Sequence, residues 1–152
     1  MKRMMLISAG LVLVSAVTAA AQGGYDAALA KKVGADKYGM KSYVLVILKT
    51  GPRDAEVKGK DRDDLFAAHM ANIRRLASEG KLVLAGPFGQ NGETFRGLFI
   101  FNTASLAEAK AWVATDPTVK AGVLVPDFVP WYGTAALMQV NELHAKIQQE
   151  AP

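Results

Sequence analysis

The stretch Lys41-Ser-Tyr-Val-Leu-Val-Ile-Leu-Lys49 decides the fold, because it is apolar on both faces of the strand it predicts. Its β-branched and aromatic content favours an extended chain. Tyr43, Leu45 and Ile47 alternate with Val44, Val46 and Leu48. Phe95-Arg-Gly-Leu-Phe-Ile-Phe101 predicts a second strand of this kind, interrupted only by Arg96. Lys81-Leu-Val-Leu-Ala85 is a shorter strand closed by Gly86-Pro87, and a turn follows at Gln90-Asn-Gly-Glu93. Val123 to Tyr132 is the remaining strand. Pro126 and Pro130 cannot donate ladder hydrogen bonds, so this strand belongs at an edge or carries bulges.

Helices fall between these strands. Thr50-Gly51-Pro52 ends the first strand, and a charged loop runs to about Lys60. Asp64 to Gly80 then predicts an amphipathic helix with Leu65, Phe66, Ile73 and Leu76 on its apolar stripe and Gly80 as its stop. Ser105-Leu-Ala-Glu108 is a capping box that opens a helix reaching about Ala114. Asp116-Pro117 caps a further helical turn ending near Gly122. Ala135 to Gln149 predicts a last amphipathic helix, with Leu137, Val140, Leu143 or His144, and Ile147 near one face. The order strand, helix, strand, strand, helix, strand is the ferredoxin-like split βαβ arrangement, an α+β fold, here followed by a C-terminal helix. Two helices cover one side of such a sheet. The apolar second side calls for another cover. A homodimer with its sheets face to face is the favoured arrangement, and a terminal segment folding back is the alternative.

The ends add an export signal. Lys2 and Arg3 precede an apolar run from Met4 to Val17, and Ala19-Ala20-Ala21 supplies a cleavage pattern before Gln22. The run is short for a transmembrane span. The expected organisation is therefore a signal peptide at 1–21, a polar lead-in at 22–40 (mobile, or a short surface helix), a domain at 41–133 and a helical extension at 134–152. The mature chain is expected in the bacterial periplasm or medium, without membrane attachment. It has no cysteine, so neither disulfides nor thiol chemistry are available to it. Its net charge of +4 falls to +2 once Lys2 and Arg3 leave, with 16 basic residues facing 14 acidic ones. No basic stripe interleaved with aromatics is present, so nucleic acid is not an expected partner.

His69 lies on the apolar stripe of the 64–80 helix, four residues after Leu65 and four before Ile73. An imidazole there faces the interior or a cleft, and histidine is the side chain best suited to move protons near neutral pH. The other histidine, His144, reads as an exposed helix residue, and a two-histidine metal site has no support from spacing. No nucleotide, haem or flavin motif occurs, so no cofactor or metal is expected. Trp112, Trp131, Met70 and the phenylalanines read as packing residues.

The run His69-Met-Ala-Asn-Ile-Arg-Arg-Leu-Ala-Ser-Glu-Gly-Lys-Leu-Val-Leu-Ala-Gly-Pro87 resembles the helix and strand block of the YciI-like (YCII-related) proteins. Ser105-Leu-Ala-Glu-Ala-Lys-Ala-Trp112 and Thr115-Asp-Pro-Thr-Val-Lys-Ala-Gly122 resemble that family's second-helix block and its Asp-Pro motif. The resemblance spans roughly Lys41 to Tyr132 and implies a dimeric α+β barrel. It also implies an active-site pair formed by His69 and Asp116. The export signal, the lead-in and the C-terminal helix depart from the usual small cytoplasmic member. An Asp116 hydrogen bond to one ring nitrogen would fix the tautomer and free the other nitrogen for proton transfer to a small organic substrate. Elimination, isomerisation and hydrolysis all suit such a pair. Arg96 or a backbone amide near Gly86 is the candidate helper that binds the substrate. Asp116 is equally a good N-cap, and His69 equally a core histidine. The alternative function is a non-catalytic dimeric module that binds a small ligand or a protein in the same cleft.

Overall fold

The computed structural model describes residues 24–150; the expected signal peptide lies outside the described residues. The elements, in chain order, are α1 (Ala27–Val33), β1 (Met40–Thr50), α2 (Gly59–Ser78), β2 (Leu82–Pro87), β3 (Phe95–Phe101), α3 (Leu106–Val113), α4 (Pro117–Lys120) and β4 (Leu124–Thr134). A 3₁₀ turn (Ala135–Gln139) and α5 (Val140–Ile147) are the last described elements. The strands form one antiparallel sheet in the order β2-β3-β1-β4. This is the ferredoxin-like α+β fold with a C-terminal helix. β4 takes an edge, which accommodates Pro126 and Pro130.

The two faces of β1 enter two separate cores. Val44, Val46 and Leu48 pack with Phe99 and Phe101 of β3 against Leu76 of α2 and Val113 of α3. Tyr43 packs on the opposite side with Val83 and Ile100, against the half-buried Trp131, Leu137 and Met138. The C-terminal 3₁₀ turn thus covers one end of the second sheet face. The remainder of that face, with Leu45, Ile47 and Leu98 half-buried and Val129 45% exposed, is left open by the described residues.

Several boundaries differ from the sequence reading. α2 begins at Gly59, inside the segment expected to be a charged loop. Charge does not disfavour helix: Lys60 and Asp64 pair one turn apart at 2.6 Å, and Arg62 reaches back to Asp54 at 2.8 Å. β2 runs through Gly86 and Pro87, because as the other edge strand it tolerates a missing donor. Ser105 caps α3 by accepting the Glu108 amide, but the reciprocal half of the box is relayed. The Ser105 amide donates to Thr103 Oγ1, whose hydroxyl in turn donates to the Glu108 carboxylate. The lead-in contains a short helix, capped by Asp26 and anchored by the buried Val33.

The largest difference is at the C-terminus. The expected single helix divides at Val140, and Leu143 and Ile147 are 57% and 81% exposed. The inner side of α5 instead carries Asn141 and His144, followed by Gln148 at its C-cap. Asn141 Nδ2 donates to the Leu82 carbonyl at 2.8 Å, which fixes α5 beside β2.

Tyr43 is 1% exposed, and its hydroxyl donates to the Thr134 carbonyl at 3.0 Å. Burial pushes its phenol above the ordinary value. A group whose folded pKa is raised stabilises the fold below its ordinary value and loses that contribution as pH rises through the folded value. Wild type should therefore lose stability steeply above about pH 10. Tyr43→Phe should flatten that alkaline limb in urea melts run from pH 8 to 11. An unchanged limb would contradict the assignment to Tyr43.

Candidate active site

His69 and Asp116 are separated by 47 residues and meet because α2 and α4 lie on the same side of the sheet. Two sets of contacts hold that approach. Arg75 of α2 donates to Asn72 Oδ1 at 2.8 Å and to Thr115 Oγ1 at 3.0 Å, tying the helix to the residue preceding Asp116. Beyond α4, the Gly51 amide donates to the Val123 carbonyl and the Arg53 amide to the Gly122 carbonyl. A Cβ on Gly51 would lie 2.2 Å from the Gly122 oxygen, so only glycine permits this docking.

The two carboxylate oxygens of Asp116 have different partners. Oδ1 accepts the Thr118 amide at 2.9 Å and the Thr118 hydroxyl at 2.7 Å. Oδ2 lies 2.7 Å from His69 Nδ1. The cap and the imidazole contact, which the sequence presents as competing roles, are thus made together by one fully buried side chain. An ionised carboxylate only accepts, so the neutral imidazole carries its proton on Nδ1 and its lone pair on Nε2. Phe66 meets the ring edge-on at 5.8 Å and Phe99 stacks against it at 6.0 Å, which fixes its plane.

His69 is 8% exposed and lines a cavity of 610 Å³. Among the described residues its Nε2 has no hydrogen-bond partner, yet the only buried, partnerless side-chain polar atom there is Asn72 Nδ2. Nε2 therefore opens into the cavity. The walls are mainly apolar and come from α2, the β2–β3 edge and α5, with Leu48 of β1 and Leu124 of β4. The volume falls in the range of small-molecule sites.

The sequence-derived candidates gather here. Arg96 and Gly86 both line the cavity, and His144 reaches it from α5 while staying largely exposed. Among the described residues, no group of three or more His, Asp or Glu is placed to hold a metal ion. Trp112 packs 5.6 Å from Phe101, and Trp131 lies 5.7 Å from Tyr43. Sequence reasoning missed Thr118, Arg74 and Asn141. Thr118 was visible as a hydroxyl residue two positions after an N-cap aspartate, and Arg74 as the residue one turn after Met70 on the His69 side of α2.

The fold and this site define a small ferredoxin-like α+β domain with a buried carboxylate–imidazole pair opening into an apolar cavity. The chain belongs to the YCII-related domain family, whose model matches residues 43–131. No curated protein matches it. Among solved structures it is similar to the 5-chloro-2-hydroxyhydroquinone dehydrochlorinase of Burkholderia phenoliruptrix AC1100 in complex with 2,5-dihydroxybenzoquinone. The two are 26% identical with a TM-score of 0.46, over 59% of this chain and 92% of that one.

Proposed function

We propose that this protein is a cofactor-independent enzyme that performs acid–base chemistry on a small organic molecule, with His69 Nε2 as the proton acceptor and donor. One observation carries the reading: Nδ1 faces a buried carboxylate at 2.7 Å while the other ring nitrogen opens into a 610 Å³ cavity. Asp116 holds the ring in one tautomer and stabilises the imidazolium that forms when Nε2 takes a proton. Elimination and isomerisation begin with such a proton removed from carbon, and hydrolysis with one removed from water. Negative charge then develops on the substrate, and Arg96, which lines the same cavity, carries a guanidinium suited to offset it. A mass-spectrometric screen of small organic acids and esters with wild type and His69→Ala tests the reading. Turnover by wild type that the variant loses, at matched thermal stability, is the expected result. Equal turnover in both, or none in either, removes the catalytic role and leaves a binding cleft.

The active form in this reading is a homodimer exported from the cytoplasm. The open strip of Leu45, Ile47, Leu98 and Val129 supports the first part, since the 3₁₀ turn leaves it uncovered. Sedimentation equilibrium should give twice the chain mass for wild type and the single mass for Val129→Glu. A monomeric wild type would refute the dimer. The Lys2–Ala21 sequence pattern supports export; N-terminal sequencing of protein recovered from the periplasm or medium should begin at Gln22. Full-length chain retained in the cytoplasm would contradict it.

A further inference from the structure

Arg74 of α2 and Arg96 of β3 line the His69 cavity, and neither belongs to an ion pair or makes a side-chain hydrogen bond among the described residues. The other described arginines behave differently. Arg53 holds Glu56 at 2.8 Å, Arg62 holds Asp54 at 2.8 Å and Arg75 holds Glu79 at 2.7 Å. The guanidinium groups without a carboxylate are thus the two at the cavity.

Among the described residues no aspartate or glutamate lines that cavity, and His69 and His144 add two further groups that donate when protonated. The acid behind His69 is already committed, because both oxygens of Asp116 have partners. Glu142, on the helix that borders the cavity, pairs with Lys146 at 3.0 Å and Lys32 at 3.5 Å instead. Those lysines, Lys146 foremost, hold its carboxyl below the usual range. Asn141 pins α5 to β2, which brings His144 and Gln148 to the cavity wall. The result is an apolar chamber whose charged groups are all of one sign.

We infer that the cavity takes a small organic monoanion, its apolar body against Phe66, Ile73, Leu82 and Phe99 and its charged oxygen on Arg74 and Arg96. The inference rests on the reading of this cavity as a ligand site and names the class of ligand. Guanidinium groups bind carboxylates and phenolates through charge-assisted hydrogen bonds. Burial of a ring or short chain against the walls supplies the remaining affinity.

The test is an NMR titration of the full chain with benzoate, with 4-nitrophenolate and with the neutral isostere benzamide, following the ring signals of His69 and His144. The anions should give saturable shifts, with benzamide binding about tenfold more weakly or worse. The two anionic arms separate carboxylate from phenolate recognition. Arg74→Gln and Arg96→Gln should each weaken anion binding by about tenfold while leaving benzamide binding and the thermal midpoint where they were. Benzamide binding as tightly as benzoate, glutamine variants that bind benzoate like wild type, or no saturable binding by any probe would each overturn the inference. His69→Gln keeps the two readings apart. Benzoate binding retained in that variant supports the anion site even if His69 proves not to transfer protons.

Discussion

Asp116→Asn is expected to slow proton transfer at His69 by about 10²–10⁴-fold with little change in stability. The Thr118 amide dictates which way the new side chain faces. That amide donates at 2.9 Å, so the asparagine must present its carbonyl oxygen there and its NH₂ to the imidazole. The NH₂ then donates to Nδ1, which forces the imidazole proton onto Nε2. The lone pair that served as the base is turned away from the cavity. Asparagine is as good an N-cap as aspartate, so α4 keeps its start. The ¹⁵N ring shifts of His69 report the tautomer directly. Wild type should show a protonated Nδ1 and a bare Nε2, and the variant the reverse. Identical ring shifts in the two proteins would contradict this account of Asp116.

Phe101→Ala is expected to destabilise the fold by about 3–5 kcal/mol. Phe101 is fully buried where β3 meets the helix layer, 5.8 Å from Phe99 and 5.6 Å from Trp112. It also pairs with Val44 in the ladder of the central strand, so neither sheet nor helix can close the gap without breaking register. A cavity of this kind loses both transfer free energy and dispersion contacts. The urea midpoint should fall strongly while the slope of the transition is kept. Because Phe99 stacks on His69, the ring shifts of His69 should move as well. A midpoint within about 1 kcal/mol of wild type would show that the layer repacks and that Phe101 is not central to it.

How much of this was legible in the sequence depends on the range of the interaction involved. Alternation in Tyr43–Leu48 gave both faces of β1, and the prolines gave β4 its edge, because strand periodicity and missing donors are local properties. The start of α2 was hidden: Lys60-Asp-Arg-Asp63 is polar all round, so no apolar stripe marks it, and the reach of Arg62 back to Asp54 shows only in three dimensions. The C-terminal register was misread for a related reason. Leu143 and Ile147 are large apolar residues of α5, yet they face outward, while Asn141 donates to the carbonyl of Leu82. The same limit applies to the site. His69 was conspicuous on an apolar stripe, but its approach to Asp116 spans 47 residues and came from family resemblance. Arg75 pairs with Glu79 four residues on, as helical spacing offers, whereas the cavity that Arg74 lines is assembled from several elements and shows only in the fold.

The central claim is that Nε2 of His69 moves protons in this cavity, and hydrogen–deuterium exchange at carbon tests it whatever the overall reaction proves to be. Wild type, Asp116→Asn and His69→Gln would be incubated in D₂O with a set of carbon-acidic carboxylates and phenols, and each carbon-bound hydrogen followed by NMR. Wild type should exchange a hydrogen in at least one of these compounds by taking the proton on Nε2 and returning a deuteron from solvent. His69→Gln should not do so, and Asp116→Asn should be slower by about 10²–10⁴-fold. Exchange at equal rates in wild type and His69→Gln, or in neither, would contradict the claim.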